Sequence, residues 1–441
     1  MSDLTPVDLI VRGGTLVSAA GRRPADIGIR DGAFVGIAEP GALSGAAAEE
    51  LDVSGMFVLP GLIDSHVHFR EPGLTHKEDW LTGSRAAVMG GITTVLDMPN
   101  TIPTTDSPAA IEEKLRLADE KSYCDFGLFG LLGGASADRL GELTANRSVV
   151  GLKVFLGPTT GDLQPPSDAS LLRGLRTAAA SGVRVAFHAE DAQVLRRNPD
   201  SRPVEAEVVA IDHLGRLLEE SGAAGHVCHV TSAAGLAAVA HWRSRRINLT
   251  AEVTPHHLFL TAADVAALGP VAMVYPPIRS SGDGSTLLAA LWAGQIDIVA
   301  SDHAPHTADE KLGPDSQLAP AGITGVETAL ALMLTHGVHT GRLTLEQLVR
   351  ATSEAPARAW GLWPRKGSVE IGSDADLTVV DLDRERVIRG ADLHSKHGLT
   401  PFEGWSTRGA AVATIIRGRI VMRDSDLLEE PGWGRAVTRL R

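Results

Sequence analysis

Short apolar runs alternate with alanine- and leucine-rich segments through the middle of this 441-residue chain. The apolar runs have the length and composition of buried strands, and segments with helical periodicity lie between most of them. This alternation, repeated eight times, predicts a parallel (β/α)8 barrel with its functional residues at the carboxyl ends of the strands. The predicted strands are 61–69, 91–99, 125–133, 149–157, 184–190, 225–232, 247–257 and 296–306, and the helical segments include 107–121, 168–181, 204–220 and 285–295.

The two ends of the chain carry a different pattern, in which apolar and polar residues alternate between Gly-Gly and Asp-Gly pairs. Such pairs between alternating runs are typical of β-hairpins. The pattern covers residues 7–59 at one end, and 368–383 and 409–424 at the other. The predicted fold is therefore α/β, with a (β/α)8 TIM-type barrel at 58–364 and a small β-sandwich built from both termini, 1–57 and 365–441.

Composition narrows the classes of function. The formal net charge of −13 disfavours a nucleic-acid partner, because such a protein needs a basic surface to neutralise phosphates. The two cysteines, Cys124 and Cys228, provide no disulfide framework and suit a reducing compartment. The sequence shows neither the pattern of a signal peptide nor an apolar run of membrane-spanning length. We therefore expect a cytoplasmic protein with no nucleic-acid or membrane partner.

Side chains that can bind metal ions occupy the ends of the predicted strands. His66 and His68 share one face of the first strand, because side chains alternate along a strand. The plain alternative is a strand end whose histidines only satisfy hydrogen bonds. Imidazoles and carboxylates suit Zn²⁺, and one tetrahedral ion needs only four ligands. A set with more candidates than that predicts two zinc ions. The six candidates are His66, His68, Lys153, His188, His229 and Asp302.

Lys153 is the unusual member of this set. An ammonium group beside two dications would be repelled. The lysine is therefore either part of the apolar core or chemically altered. Carbamylation by CO₂ would make it an anion whose two oxygens can bridge both ions.

These residues belong to longer motifs, and with them the chain resembles the cyclic amidohydrolases of the amidohydrolase superfamily, dihydroorotase most of all. The likeness spans the predicted barrel, and IGSDADLTVVD (371–381) resembles the flanking β-sandwich of the same superfamily. The matching motifs are PGLIDSHVHFREPG (60–73), DMPNT (97–101), GLKVFLG (151–157), AFHAE (186–190), VCHVTS (227–232), AEVTPHHL (251–258), SDHAPHTADEK (301–311) and GITGVET (322–328).

The resemblance implies the reversible ring opening of dihydroorotate to N-carbamoyl-aspartate, a step of pyrimidine biosynthesis. It implies that hydroxide bridging the metals attacks the ring amide, and that Asp302 carries the proton to the leaving nitrogen. His66, His68 and Asp302 would bind the more buried zinc, His188 and His229 the outer zinc, and N6-carboxylated Lys153 would bridge them. The substrate carboxylate would be held by Arg70, Asn100 and His306.

Three further features leave alternatives open. The loop at 157–166 is either a connector or, as in dihydroorotase, a lid whose Thr159 or Thr160 covers bound substrate. Cys228 alternates with His229, so we expect a packed thiol that points away from the site, although some similar proteins place a further metal at such a cysteine. Tyr275 stands where many dihydroorotases have an asparagine.

Because of Tyr275, the ring substrate stays open between dihydroorotate and the rings opened by allantoinase or by hydantoinase and dihydropyrimidinase. A third alternative, from another class, is a non-catalytic homologue that acts as a partner in a complex. Such homologues lose metal ligands, whereas this chain keeps all six candidates. The expected partner is therefore a small cyclic amide, and the sequence leaves a homo-oligomer possible.

Overall fold

The structure is a computed structural model that describes residues 7–43, 47–133, 136–137, 139–159, 163–199 and 201–440. In this part of the chain, strands β1 to β17 are Val7–Ser18, Gly21–Arg30, Ala33–Ala38, Ala47–Asp52, Phe57–Pro60, Leu62–Val67, Ile92–Asp97, Asp125–Leu131, Val149–Phe155, Val185–His188, Gly225–Val227, Leu249–Val253, Ile298–Val299, Leu377–Val387, Ser406–Ile416, Arg419–Arg423 and Asp426–Leu427.

The helices of the same described residues are short to medium in length. Helices α1 to α14 are Trp80–Met89, Pro108–Lys121, Leu140–Ala145, Asp168–Ala180, Ala192–Arg197, Val204–Ser221, Ala233–Ser244, Pro255–Phe259, Ala262–Leu268, Ser281–Trp292, Ala308–Leu312, Ala329–Met333, Leu345–Val349 and Ala355–Ala359. Turns of π-helix follow α12 and α13 at Leu334–Val338 and Arg350–Glu354, and 3-10 turns lie at Gly269–Ala272, Ser316–Leu318 and Gly390–Asp392.

Strands β6 to β13 form a parallel sheet in which each strand pairs with its neighbour along the chain. The first strand meets the segment after the last strand through a bridge between Val67 and His303, and the His68 amide donates to the His303 carbonyl at 2.7 Å. The sheet therefore curls into a nearly closed barrel. Each of the eight predicted runs contains one of these strands, so the predicted (β/α)8 fold is confirmed.

Several barrel strands, β11 and β13 most of all, are much shorter than the sequence predicts. Strand β11 ends at Val227 rather than at residue 232, and β13 contains only Ile298 and Val299. The residues after each strand leave the sheet as loops at its carboxyl end. These loops carry polar side chains across the mouth of the barrel, where a (β/α)8 fold places its functional residues.

Two of the predicted helices begin at serine caps that the sequence provides. Helix α2 follows Ser107, whose side chain accepts a hydrogen bond from the Ala110 amide, and Pro108 occupies its first turn. Helix α4 follows Ser167, which caps the Ser170 amide in the same way. Both agree with the predicted segments 107–121 and 168–181. Within the described part of the chain, no helix combines the length and the apolar character needed to cross a membrane.

Strands from both ends of the chain form one connected sheet beside the barrel. Its order is β17-β16-β15-β14-β5-β1-β2-β3, with β4 paired to β1. Strand β5 runs antiparallel to β14, with Leu59 opposite Thr378, which joins the two ends. The sheet's core includes Ile27, Phe34 and Ile415. The predicted joining of both termini is confirmed, whereas the domain boundaries at 57/58 and 364/365 stay a prediction.

A buried ionic cluster connects this sheet to the amino-terminal end of the barrel. Lys366 Nζ lies 2.5 Å from Asp125 Oδ2, 2.6 Å from Asp376 Oδ2 and 3.0 Å from Asp374 Oδ2. Asp125 is the first residue of β8, and it also pairs with Arg417. The lysine and its three carboxylates satisfy one another, as buried charges require.

Candidate active site

A small cavity lies at the carboxyl ends of the barrel strands, and we call it the central cavity. Nine of the eleven predicted site residues line it, including all six candidate metal ligands. Of the other two, His306 lies behind Arg70, and Thr160 lies outside the described residues. The lining residues are His66, His68, Arg70, Asn100, Lys153, Phe155, Thr159, His188, His229, Val274, Tyr275, Asp302, Ala304, Ala321 and Gly322.

His66, in β6, and His68, just after it, face the carboxylate of Asp302. The Nε2 atoms of His66 and His68 each lie 3.3 Å from Asp302 Oδ1. One ligand atom each from His66, His229 and Asp302 lie within 4.8 Å of one another, a spacing at which one metal ion can be bound. His66 and His68 are both buried, and burial lowers the pKa of each, which favours the neutral imidazole that binds metals.

The other ring nitrogens of these two histidines have partners of their own. His66 Nδ1 lies 2.5 Å from Glu252 Oε1, and the other oxygen of Glu252 lies 3.0 Å from His226 Nε2. His68 Nδ1 contacts Asn100 Oδ1 at 2.7 Å. Such contacts fix the tautomer and the ring orientation of a metal-binding histidine. Burial alone would raise the pKa of Glu252, but His66 and His226 outweigh it and hold that pKa well below its ordinary value.

A second pair of imidazoles comes from β10 and from the loop after β11. His188 Nδ1 and His229 Nε2 lie 3.2 Å apart at the cavity. His188 Nε2 contacts Glu190 Oε2 at 3.0 Å, which leaves Nδ1 directed at the cavity. Arg202 in turn binds Glu190 through Nε at 3.0 Å. Despite its burial, the pKa of Glu190 is lowered to about 2, because His188 and Arg202 stabilise its anion.

Lys153 is fully buried and lines the central cavity. Its Nζ lies 3.0 Å from Cys228 Sγ and 5.3 Å from the centre of the Phe155 ring. Among the described residues, no carboxylate lies within 4.0 Å of this ammonium. Burial raises the pKa of Cys228 to about 12, so the sulfur is a neutral thiol at neutral pH.

The expectation of a packed thiol at Cys228 is confirmed, because this side chain belongs to a buried apolar cluster with Leu96 and Met98. The expectation that it points away from the candidate ligands is wrong. It assumed that strand alternation continues from Cys228 to His229, but β11 ends at Val227. His229 has a φ of 35°, which turns the chain so that the Cys228 sulfur faces Lys153 while His229 lines the cavity. Cys228 Sγ also lies within 4.8 Å of ligand atoms of His66 and Glu252. A further metal at Cys228 stays an alternative, which the Cys228→Ser variant tests.

Arg70 supplies a fixed positive charge to the central cavity. Burial lowers its pKa to about 10, so it remains a cation at neutral pH. Its Nη2 lies 3.3 Å from His306 Nε2, and its Nε donates to the Pro305 carbonyl at 3.4 Å. His306 Nε2 lies 3.0 Å from the Ala321 carbonyl, and its Nδ1 lies 3.2 Å from Lys77 Nζ. In this structure His306 therefore supports Arg70 from behind.

Three of these residues hold an unusual backbone conformation. Arg70, His229 and Asp302 have φ values of 63°, 35° and 48°, in the left-handed region that non-glycine residues rarely occupy. All three follow a barrel strand and aim their side chains into the central cavity. Backbone strain concentrated in this way is typical of functional sites.

The donor set fits a metal centre. Four buried imidazoles and one carboxylate converge with a lysine that has no acidic partner among the described residues. Nitrogen and oxygen donors of this kind suit Zn²⁺ and related divalent ions.

The sequence analysis missed the residues that orient the histidines. They are Glu190, Arg202 and Glu252. Glu252 could have been found from the sequence, because it is the one charged residue of the mainly apolar strand β12, where a buried carboxylate needs a partner. Glu190 lies only two residues from His188. Arg202 left no local signal, since it reaches the site from a loop twelve residues further on.

A (β/α)8 barrel with these nitrogen and oxygen donors at its mouth is typical of metal-dependent hydrolases. The sequence profile of the amidohydrolase family matches residues 57–421. The chain therefore belongs to the amidohydrolase family. This confirms the predicted resemblance and the predicted enzyme class, a hydrolase that acts on cyclic amides.

Individual relatives of this chain cover nearly its full length. An allantoinase of Rubrobacter xylanophilus is 38% identical over 98% of both chains. A dihydroorotase of Methanosarcina mazei is 38% identical over 94% of both chains. Among solved structures, the L-hydantoinase (dihydropyrimidinase) of Arthrobacter aurescens superposes with a TM-score of 0.94 at 32% identity, covering 98% of this chain and 100% of its own.

Proposed function

We propose that this protein is a dinuclear zinc amidohydrolase that opens the ring of dihydroorotate reversibly to N-carbamoyl-aspartate. The observation that carries the proposal is the place of Arg70, a buried cation that lines the same cavity as the candidate metal ligands. Dihydroorotate has a carboxylate beside its cyclic amide. A fixed guanidinium is the donor that recognises such an anion best.

The metal-binding residues divide into two sets. His66, His68 and Asp302 would hold one zinc ion. His188 and His229 would hold the second, and N6-carboxylated Lys153 would join both. The absence of an acidic partner for Lys153 among the described residues supports the carboxylation, since the modified side chain is itself an anion. Bound zinc lowers the pKa of water and polarises a carbonyl group.

The chain's own groups supply the proton transfer. Asp302 faces the central cavity and is 12% exposed, so one carboxylate oxygen can accept a proton from the attacking water. The same oxygen can then deliver this proton to the leaving ring nitrogen, which makes Asp302 both base and acid. Its left-handed backbone fixes the direction of the carboxylate.

Three groups would position the substrate. Arg70 and Asn100 would bind its carboxylate. The Oδ1 atom of Asn100 contacts His68, so its amide NH₂ is the group that remains for the substrate. Thr159, in the loop that follows β9, lines the cavity and would contact the ring.

A neutral ring is the second candidate substrate, and Tyr275 is the observation that favours it. Its phenol ring lines the central cavity at a position where the dihydroorotase pattern has an amide. The similarity to an allantoinase and to an L-hydantoinase supports the same alternative. Allantoin, hydantoin and dihydrouracil are the rings to compare.

The test compares turnover of dihydroorotate, allantoin, hydantoin and dihydrouracil, with metal content measured on the same samples. We expect dihydroorotate to be opened fastest. Arg70→Met should lower kcat/KM for dihydroorotate about ten- to a hundredfold, because one charge-assisted contact is lost. It should affect hydantoin only weakly.

Arg70→Lys is the matched control, because it keeps the positive charge and should recover part of the loss. If the wild-type protein opens neutral rings faster and Arg70→Met affects all rings alike, the substrate is a neutral ring and Arg70 does not select it.

A further inference from the structure

A second cavity of about 460 Å³ lies beside the central cavity, and we call it the side chamber. A volume of this size falls in the range that can hold a small ligand. Val274 and Tyr275 line both spaces, so they form the boundary between them. Most of the remaining wall is apolar and includes Leu195, Val265, Met273, Pro277 and Ile278.

The Tyr275 ring is held in place by a cation. The guanidinium carbon of Arg202 lies 3.9 Å from the centre of that ring, a cation–π contact. Arg202 is itself fixed, because its Nη2 lies 2.5 Å from Glu190 Oε2 and donates to the Pro158 carbonyl at 2.7 Å. Tyr275 is thus stacked on a side chain that is anchored to two other loops of the barrel mouth.

We propose that Tyr275, held by Arg202, is a partition that separates the central cavity from the side chamber and limits the size of the substituent on the substrate ring. The inference rests on the proposed function, because it concerns the cavity in which the cyclic amide would bind. With Tyr275 in place, the central cavity admits small rings. Without it, the apolar side chamber accepts an aryl substituent carried by the ring.

The direct test measures the affinities of hydantoin and 5-benzylhydantoin by calorimetry, so that binding is read independently of turnover. Tyr275→Ala should raise the affinity for 5-benzylhydantoin relative to hydantoin at least about tenfold, the scale on which a filled apolar pocket discriminates. Tyr275→Phe is the matched control. It keeps the ring and its stacking on Arg202, so the ratio of affinities should stay at the wild-type value.

A variant on the far wall tests the side chamber itself. Ser201 is exposed and lines the side chamber but not the central cavity. In the Tyr275→Ala background, Ser201→Trp should refill the chamber and abolish the gained affinity for 5-benzylhydantoin. As a single substitution in the wild-type protein, it should leave the affinities for hydantoin and dihydroorotate unchanged. Thermal unfolding of each variant verifies that it is folded.

The outcomes separate this inference from the proposed function. An unchanged ratio in folded Tyr275→Ala overturns the partition, even when the enzyme opens dihydroorotate. If Ser201→Trp alone weakens dihydroorotate binding, the chamber already belongs to the substrate site and the partition is likewise overturned. If the affinities change as expected but neither the wild-type protein nor any variant opens dihydroorotate, the role of Tyr275 as a partition is supported and dihydroorotate is not the substrate.

Discussion

Two buried lysines occupy opposite ends of the barrel, and their surroundings differ in one respect. Lys366, at the amino-terminal end, lies within 3.0 Å of three carboxylates. Lys153, at the carboxyl-terminal end, has the Cys228 thiol at 3.0 Å and, among the described residues, no carboxylate within 4.0 Å. Both side chains are almost wholly removed from water.

The presence or absence of nearby carboxylates indicates a structural role for Lys366 and a chemical role for Lys153. A buried ammonium surrounded by carboxylates is neutralised by these ion pairs and can hold two parts of the fold together. A buried ammonium without an anion is costly, and it becomes acceptable when its charge is changed or when it serves the chemistry of a site. The comparison therefore predicts that substituting Lys366 affects folding and that substituting Lys153 affects metal binding.

The largest effect is expected at the carboxyl-terminal end. Lys153→Ala should lose bound metal and lower kcat at least about a hundredfold, because the bridging anion would be missing. Zinc per chain, measured by elemental analysis beside the turnover rate, tests this. A variant that retains two zinc ions and normal turnover would show that Lys153 does not bridge them.

Lys366→Met should change stability instead. Removal of the cation leaves the buried carboxylates of Asp125 and Asp376 close to each other and to partly buried Asp374, at a cost of about 3–5 kcal/mol in the free energy of unfolding. Urea unfolding measures this loss, and metal content per folded chain should not change.

The matched control for Lys366 is Lys396→Met. Lys396 pairs with Asp79 but is partly exposed, so its loss should cost less than about 1 kcal/mol. Equal losses in the two variants would contradict the structural role of the buried cluster.

Lys311 is an intermediate case, because carbonyl oxygens hold its ammonium. Its Nζ lies 2.8 Å from the Pro270 carbonyl and 3.4 Å from that of Met273. Burial, followed by repulsion from Arg70 and Lys77, lowers the pKa of Lys311 to about 7. Between pH 7 and pH 8 the folded protein loses this proton while the unfolded chain keeps it. Stability should therefore rise with pH across this window, by about 1 kcal/mol.

Urea unfolding at these two pH values measures the rise, and Lys311→Met should abolish it. Lys396→Met serves again as the control and should retain it. A rise of the same size in wild type and Lys311→Met would mean that Lys311 keeps its charge in the folded protein.

The smallest effect is expected from Cys228→Ser, which keeps a small polar side chain beside Lys153. Metal content should be unchanged and kcat should change by less than about tenfold. Cys124→Ser, at the other buried cysteine, is the control. If Cys228→Ser loses a metal ion and Cys124→Ser does not, Cys228 is a metal ligand. The comparison of Lys153 with Lys366 would then no longer hold, because the group next to Lys153 would be a metal-bound thiolate.

The sequence predicted what periodicity and spacing encode. Apolar runs marked all eight barrel strands, and polar residues at their ends marked the central cavity. Prediction failed where a strand stopped early, as at Val227, because the alternation of side chains applies only while the backbone stays extended. His229, with its positive φ, shows that the turn decides the direction of the side chain.

Contacts between distant residues were the second limit of the sequence. Glu252 touches His66 across 186 positions, and Lys366 reaches Asp125 across 241. Local composition shows that such residues are charged and lie in apolar surroundings, but not which partner satisfies them. The pairing of the terminal strands could not be predicted for the same reason. Each end of the chain shows local hairpin signals, but these signals do not show that the two ends pair with each other.

The pairing of β5 with β14 also has a consequence for synthesis on the ribosome. Strand β14 is translated roughly 320 residues after β5, which takes on the order of 15 to 60 s at typical elongation rates. During that time the edge of β5 that β14 will cover has no native partner, and an uncovered strand edge is prone to pair with other chains. The nascent chain should therefore need protection at β5, and the pairing of newly made β14 with β5 should be the step that ends its tendency to aggregate.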